Sequence, residues 1–120
     1  MKFCITRMFL TVLAASALLP AIAAESVPSR EVGKQIALDR SKGNCLACHA
    51  MPGIPENVQP GNFGPPLIAM KARFPSLDLL RKRVWDETIF NQNTTMPPFG
   101  KHKILTENEI DHVVEFIHAL

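Results

Sequence analysis

Five consecutive residues, Cys45-Leu46-Ala47-Cys48-His49, restrict this chain more than anything else in it. Two thiols separated by two residues and followed at once by an imidazole form the C-x-x-C-H pattern of c-type haem attachment. The spacing has a physical reason. On one helical turn both thiols reach the vinyl groups of adjacent pyrroles and form thioethers. The next residue then turns its imidazole toward the iron from the same side. Other uses of C-x-x-C fit less well. A thioredoxin-like redox pair needs a βαβ setting, and no alternating segment provides one. A structural zinc site usually needs a second cysteine or histidine pair, and an exported protein could close a simple disulfide. The histidine directly after Cys48 favours haem.

A chain of 120 residues allows one small domain. Lys2 and Arg7 flank an apolar run from Met8 to Leu19, and Ala21-Ile22-Ala23-Ala24 supplies a small-residue cleavage site. Residues 1–24 therefore read as a signal peptide, cut after Ala23 or Ala24. The apolar run is shorter than the roughly 20 residues of a membrane-spanning helix. The expectation is an exported domain over residues 25–120, with no membrane span in the mature chain. Loss of Lys2 and Arg7 takes the 13 basic residues to 11, level with the 11 acidic ones. A formally neutral chain lacks the basic footprint of a nucleic-acid binder. Cys4 leaves with the leader, so disulfides cannot brace the domain. A covalently held, flat cofactor would supply the apolar core that so small a domain lacks.

Three segments read as helices. Ser29 can cap the first, Glu31 suits its positive end, and Val32, Ile36 and Ala37 share a face. Gly43 or Asn44 is expected to end it. Ser76 can cap a middle helix whose Leu77, Leu80 and Val84 recur at helical spacing. Thr106-Glu107-Asn108-Glu109 is a capping box, followed by an apolar stripe of Ile110, Val113, Val114 and Ile117. Between them lie Pro- and Gly-rich loops, Met51 to Gly64 and Asn91 to Lys103, and a short helical stretch is possible near Ala69 to Arg73. The fold class is all-α: three main helices with long loops around one haem.

His49 needs a partner for its second ring nitrogen, and Pro65, on the rigid turn Gly64-Pro65-Pro66-Leu67, offers a carbonyl. The sixth iron position has several candidates. Met51 is too close to His49 in sequence to reach the opposite face, and Met70 reads as core. His112 and His118 on the last helix read as solvated or capping residues. Met96 precedes two prolines, which stiffen the loop and bias it to extended backbone. It is the expected ligand, with His102 the alternative. Trp85 is expected to direct its indole N–H to a haem propionate or to another core partner. Arg81-Lys82-Arg83, Lys71, Arg73, Lys101 and Lys103 read either as a basic rim that steers an acidic partner or as a solvated face.

The haem motif, Gly64-Pro65-Pro66-Leu67 and the Met96 loop together resemble class I cytochromes c. Gly33 and Phe116 match the glycine–aromatic crossing of the first and last helices in that class. Gly43 to His49, Gln59-Pro60-Gly61-Asn62, Met96-Pro97-Pro98-Phe99-Gly100 and Ile104-Leu105-Thr106 resemble, more narrowly, the SoxX family. These are the small monohaem subunits of SoxAX sulfur-oxidation complexes. The resemblance implies a periplasmic electron carrier with one covalent, His/Met-ligated haem c, held by Cys45, Cys48, His49 and Met96. It implies a heterodimer with a SoxA-type cytochrome and transient encounters with a SoxY-type carrier and an electron-accepting cytochrome. It further implies membership of a heteromeric L-cysteine S-thiosulfotransferase, in which this chain takes up electrons released when thiosulfate joins a SoxY cysteine. A freely diffusing respiratory carrier is the alternative.

Overall fold

The last helix forms around its own cap. In the computed structural model, which describes residues 29–55 and 57–120, Thr106 is extended (φ −70°, ψ 162°) and its hydroxyl accepts from the Glu109 amide. Glu109 reaches back to the Thr106 amide at 2.9 Å, so the cap satisfies the amides of Thr106 and Glu109 reciprocally. The stripe that follows is buried as its spacing predicts: Ile110, Val113, Val114 and Ile117, joined by Phe116, all face the core. Each such side chain removed from water contributes about 1.5–3 kcal/mol. The expected signal peptide, residues 1–24, and the first residues of the expected domain lie outside the described residues.

Among those residues the elements are all helical, with no strand. They run α1 (Ser29–Leu38), a 3₁₀ turn (Cys45–Ala47), α2 (Met70–Arg73), α3 (Leu77–Trp85), a second 3₁₀ turn (Glu87–Ile89) and α4 (Glu107–His118). The most extensive helix pairing joins α1 to α4, and α3 and α2 pack on α4 as well. At the α1–α4 crossing Gly33 is buried against the His112 carbonyl and the Phe116 Cβ, which would lie 3.0 Å from any Cβ at position 33. The absent side chain lets the two backbones meet.

Two boundaries differ from the sequence expectation. Helix α1 stops at Leu38 instead of running to Gly43 or Asn44. The Asp39 carboxylate accepts from the Ser41 amide at 2.8 Å and the Ser41 hydroxyl at 2.7 Å, a local turn that competes with helix continuation. Ser29 begins the helix, with its hydroxyl 2.5 Å from His112 Nδ1. In α3, Ser76 caps as expected, accepting from the Leu79 amide at 3.3 Å, and Leu80 and Val84 are buried. Leu77, at the first helical position, is 44% exposed and does not join the stripe.

Ion pairs tie these elements across the surface. Arg81 of α3 meets Asp111 at 2.6 Å and Glu107 at 3.3 Å on α4. Lys42, after α1, pairs with Glu109. The Lys42 ammonium first, and then the Thr106 amide, hold the Glu109 carboxyl down at about 2. A depressed carboxyl contributes stability that is fully present above the unfolded value near 4.3 and lost as pH falls through the folded value. Replacing Glu109 by Gln should therefore lower the denaturation midpoint at neutral pH, and the gap to the parent should close as pH falls from about 4.5 toward 2. Denaturant titrations across that range check it; a gap independent of pH contradicts the assignment.

Candidate functional site

The C-x-x-C-H segment is shaped by the turn that delivers it. Asn44 takes a left-handed conformation (φ 46°), which asparagine tolerates better than most side chains. The Asp39 carbonyl accepts from the Asn44 amide at 2.9 Å. The chain then winds tightly, with the Cys48 and His49 amides both donating to the Cys45 carbonyl at 3.1 and 2.9 Å. One turn thus carries both thiols and the imidazole. The two thiols are free and not joined to each other. Burial pushes the Cys45 thiol up to about 11, so it is protonated at neutral pH and unsuited to thiol–disulfide exchange.

The stretch 61–67 is laced along this turn by three backbone hydrogen bonds. Gly61 donates to Leu46 at 2.9 Å, Gly64 to Cys48 at 2.8 Å and Leu67 to Ala50 at 2.7 Å. Pro65 and Pro66 lie between the last two donors and have no amide of their own to satisfy. This arrangement sets the Pro65 carbonyl 2.7 Å from His49 Nδ1. A carbonyl only accepts, so Nδ1 carries the proton and Nε2 keeps its lone pair for a metal. Gly64 lies flat against the imidazole; a Cβ there would sit 2.6 Å from Nδ1. From the other side Arg73 donates to the Pro66 carbonyl at 2.7 Å. Nothing in the sequence pointed to Arg73 in this role, because the contact joins two ordinary residues across a bend.

Among the other candidate iron ligands, Met51 and Met70 are core, 5% and 2% exposed. Arg73 also contacts the Met70 sulfur at 3.3 Å. His112 is engaged by Ser29 and Asn108, and His118 Nε2 donates to the Phe74 carbonyl at 3.0 Å. His102 is exposed. Met96 is half-buried and packs against the core, and its amide donates to the Thr94 hydroxyl at 3.1 Å. The Trp85 ring stacks on Gly100 and under the Arg81 guanidinium, 5.5 Å from the centroid. Its N–H meets no acceptor among the described residues.

The basic rim resolves largely into ion pairs. Besides Arg81, Lys82 pairs with Asp78 at 2.7 Å, Arg83 with Glu87 at 2.6 Å and Lys101 with Asp86 at 2.9 Å. Arg73 is turned inward to the Pro66 carbonyl. The acids that cancel these charges stand on α3, α4 and the turn after α3. The observed surface is therefore mixed in sign rather than a positive ring.

These residues fit a covalently attached haem. Two unpaired thiols and an imidazole with a free Nε2 share one turn, which is the donor set of c-type attachment. Phe63 and Ile68, either side of the segment bearing the Pro65 carbonyl, are 81% and 51% exposed. That is apolar surface a flat macrocycle can cover.

An all-α chain with this turn and this crossing of first and last helices has the class I cytochrome c fold, an electron-transfer protein with covalently bound haem c. The chain belongs to the family described as cytochrome c oxidase, cbb3-type, subunit III, which matches residues 37–117. An uncharacterized lipoprotein of Aquifex aeolicus (strain VF5) is 34% identical over 77 residues, 64% of this chain. The aligned part is 36% of that relative, so this chain spans about a third of its length. The crystal structure of SoxXA from P. pantotrophus is similar with a TM-score of 0.66 and 28% identity, covering 74% of this chain and 79% of that one.

The Gly64 contact gives a direct check on ring orientation. Gly64→Ala should retain haem but rotate the His49 imidazole, shifting the ferric low-spin paramagnetic resonance g-values. Unchanged g-values would show that the contact does not set the ring.

Proposed function

We propose that this chain is the electron-accepting cytochrome subunit of a SoxAX-type complex in the periplasm. The observation that carries the reading is the structural likeness to SoxXA, which extends over 74% of the chain at 28% identity. Cys45 and Cys48 would hold the haem through thioethers, and His49 Nε2, its ring oriented by the Pro65 carbonyl, and Met96 would be the side chains that bind its iron. Bound there, haem c supplies a one-electron iron couple, whose potential methionine ligation raises.

The partner is a SoxA-type cytochrome in a heterodimer, with a SoxY-type carrier and a downstream cytochrome meeting the complex transiently. In the reaction thiosulfate joins a carrier cysteine through its sulfane sulfur, forming one S–S bond and releasing the thiol proton and two electrons, which a one-electron couple passes singly to the downstream cytochrome. Such a transfer needs a reactive thiolate. Cys45 and Cys48 are committed to attachment, so neither is free to act as one. The sulfur-transferring group therefore belongs to the partner. This chain takes up electrons, and the assembly as a whole is an L-cysteine S-thiosulfotransferase.

Two experiments test the reading. Haem in the purified chain should stay oxidised with thiosulfate alone and become reduced once a SoxA-type partner and carrier are added. Equal behaviour in both cases, with a monomeric chain, indicates a freely diffusing carrier instead. For the ligand, Met96→Ala should lower the reduction potential and give high-spin or water-ligated ferric iron; an unaltered ferric spectrum removes Met96 from the iron.

A further inference from the structure

We infer that Trp85 and Asp86, at the end of α3, are positioning residues that fix the Met96 loop and keep the sixth iron position closed; the inference rests on Met96 being the ligand. Three kinds of contact converge on residues 99–101. The Trp85 carbonyl accepts from both the Gly100 and Lys101 amides, at 3.1 and 3.4 Å. Gly100 is buried face-on against the six-membered ring of Trp85, so close that a Cβ there would come within 2.7 Å of Cζ3 and nearer to two other ring atoms. Asp86 is 3% exposed and accepts from Lys101 Nζ at 2.9 Å. Its other oxygen accepts from the Thr88 amide at 3.0 Å and from the Thr88 hydroxyl.

The loop is held asymmetrically. On the far side of Met96 the nearest anchors are the bond from its own amide to Thr94 and the bond from the Thr94 amide to Asn91, at 3.1 Å each. After Met96, Pro97 and Pro98 fix two φ angles and so transmit the position of Phe99–Lys101 to the methionine. Phe99 is 6% exposed, and its carbonyl accepts from the Ile104 and Leu105 amides at 2.9 and 3.1 Å, closing the loop onto the start of α4. The Asp86–Lys101 pair is not needed to cap the turn after α3, since the Thr88 amide already meets Asp86 Oδ1. Lys101 is itself 56% exposed and could be fully solvated at no cost to the core. What the pair does is fasten the loop. Severing it leaves a buried carboxylate short of its cation and frees the loop to lift.

The apparent affinity of an external ligand scales with the fraction of molecules whose sixth position is open. Imidazole binding to the ferric holoprotein therefore reads the closure, and helix melting by circular dichroism reads the fold. Lys101→Met should raise imidazole affinity by about tenfold, the weight of one charge-assisted hydrogen bond. It should also weaken the sulfur-to-iron charge-transfer band at denaturant concentrations where the helices persist. Lys101→Arg should restore parental behaviour, and Asp86→Asn should match Lys101→Met. Gly100→Ala should open the site further if the holoprotein accumulates. Parental imidazole affinity in Lys101→Met, or an affinity gain that merely tracks lost helix stability in every variant, overturns the inference. If the parent lacks the charge-transfer band and Met96→Ala binds imidazole no more tightly than the parent, the ligand assignment itself falls and the inference with it.

Discussion

The hydrogen bond from His49 to the Pro65 carbonyl is the contact on which the rest of the site turns. It chooses the ring nitrogen that remains available, and it depends on the backbone bonds that lay the loop 61–67 along the haem-attachment turn. That loop could not approach with a side chain at position 64, nor with unsatisfied amides at 65 and 66. One glycine and two prolines thus answer three separate demands of a single close contact. Behind it, Arg73 braces the same segment from α2, and α2 packs on α4. The orientation of one imidazole is traceable through consecutive contacts to the main helix pair.

The helices divide the work. Helix α4 is the floor on which α1, α2 and α3 all rest. Helix α1 brings the attachment turn to one side, while α3 ends where the methionine loop folds back. Because Arg81 joins α3 to Asp111 and Glu107 of α4, the end of α3 is itself fixed in place. The attachment turn and the Met96 loop therefore draw on different helices that share one support.

Much of this could be read from the chain because it is written locally. The capping box at Thr106, the apolar stripe of α4 and the attachment motif each depend on residues within a few positions of one another. The glycine–aromatic meeting of α1 and α4 followed from family resemblance rather than from spacing. What the sequence concealed was tertiary pairing. Arg81, Arg83 and Lys101 look like free cations until their acids arrive from elsewhere in the fold, so the sequence leaves a basic rim and a solvated face equally open where the surface is mixed. The early stop of α1 was missed because the Asp39–Ser41 turn uses residues equally at home on a helix surface. Arg73 and Asp86 carried no signal at all; their importance lies in what they face.

The seam that holds residues 61–67 has a bearing on what can vary in this chain. Its three bonds, Gly61 to Leu46, Gly64 to Cys48 and Leu67 to Ala50, run between main-chain atoms. They ask nothing of the side chains in between, and loop length itself costs little. Apart from Ile54, which packs on the core, the stretch between Pro52 and Pro60 can drift in sequence and size while the imidazole keeps its place.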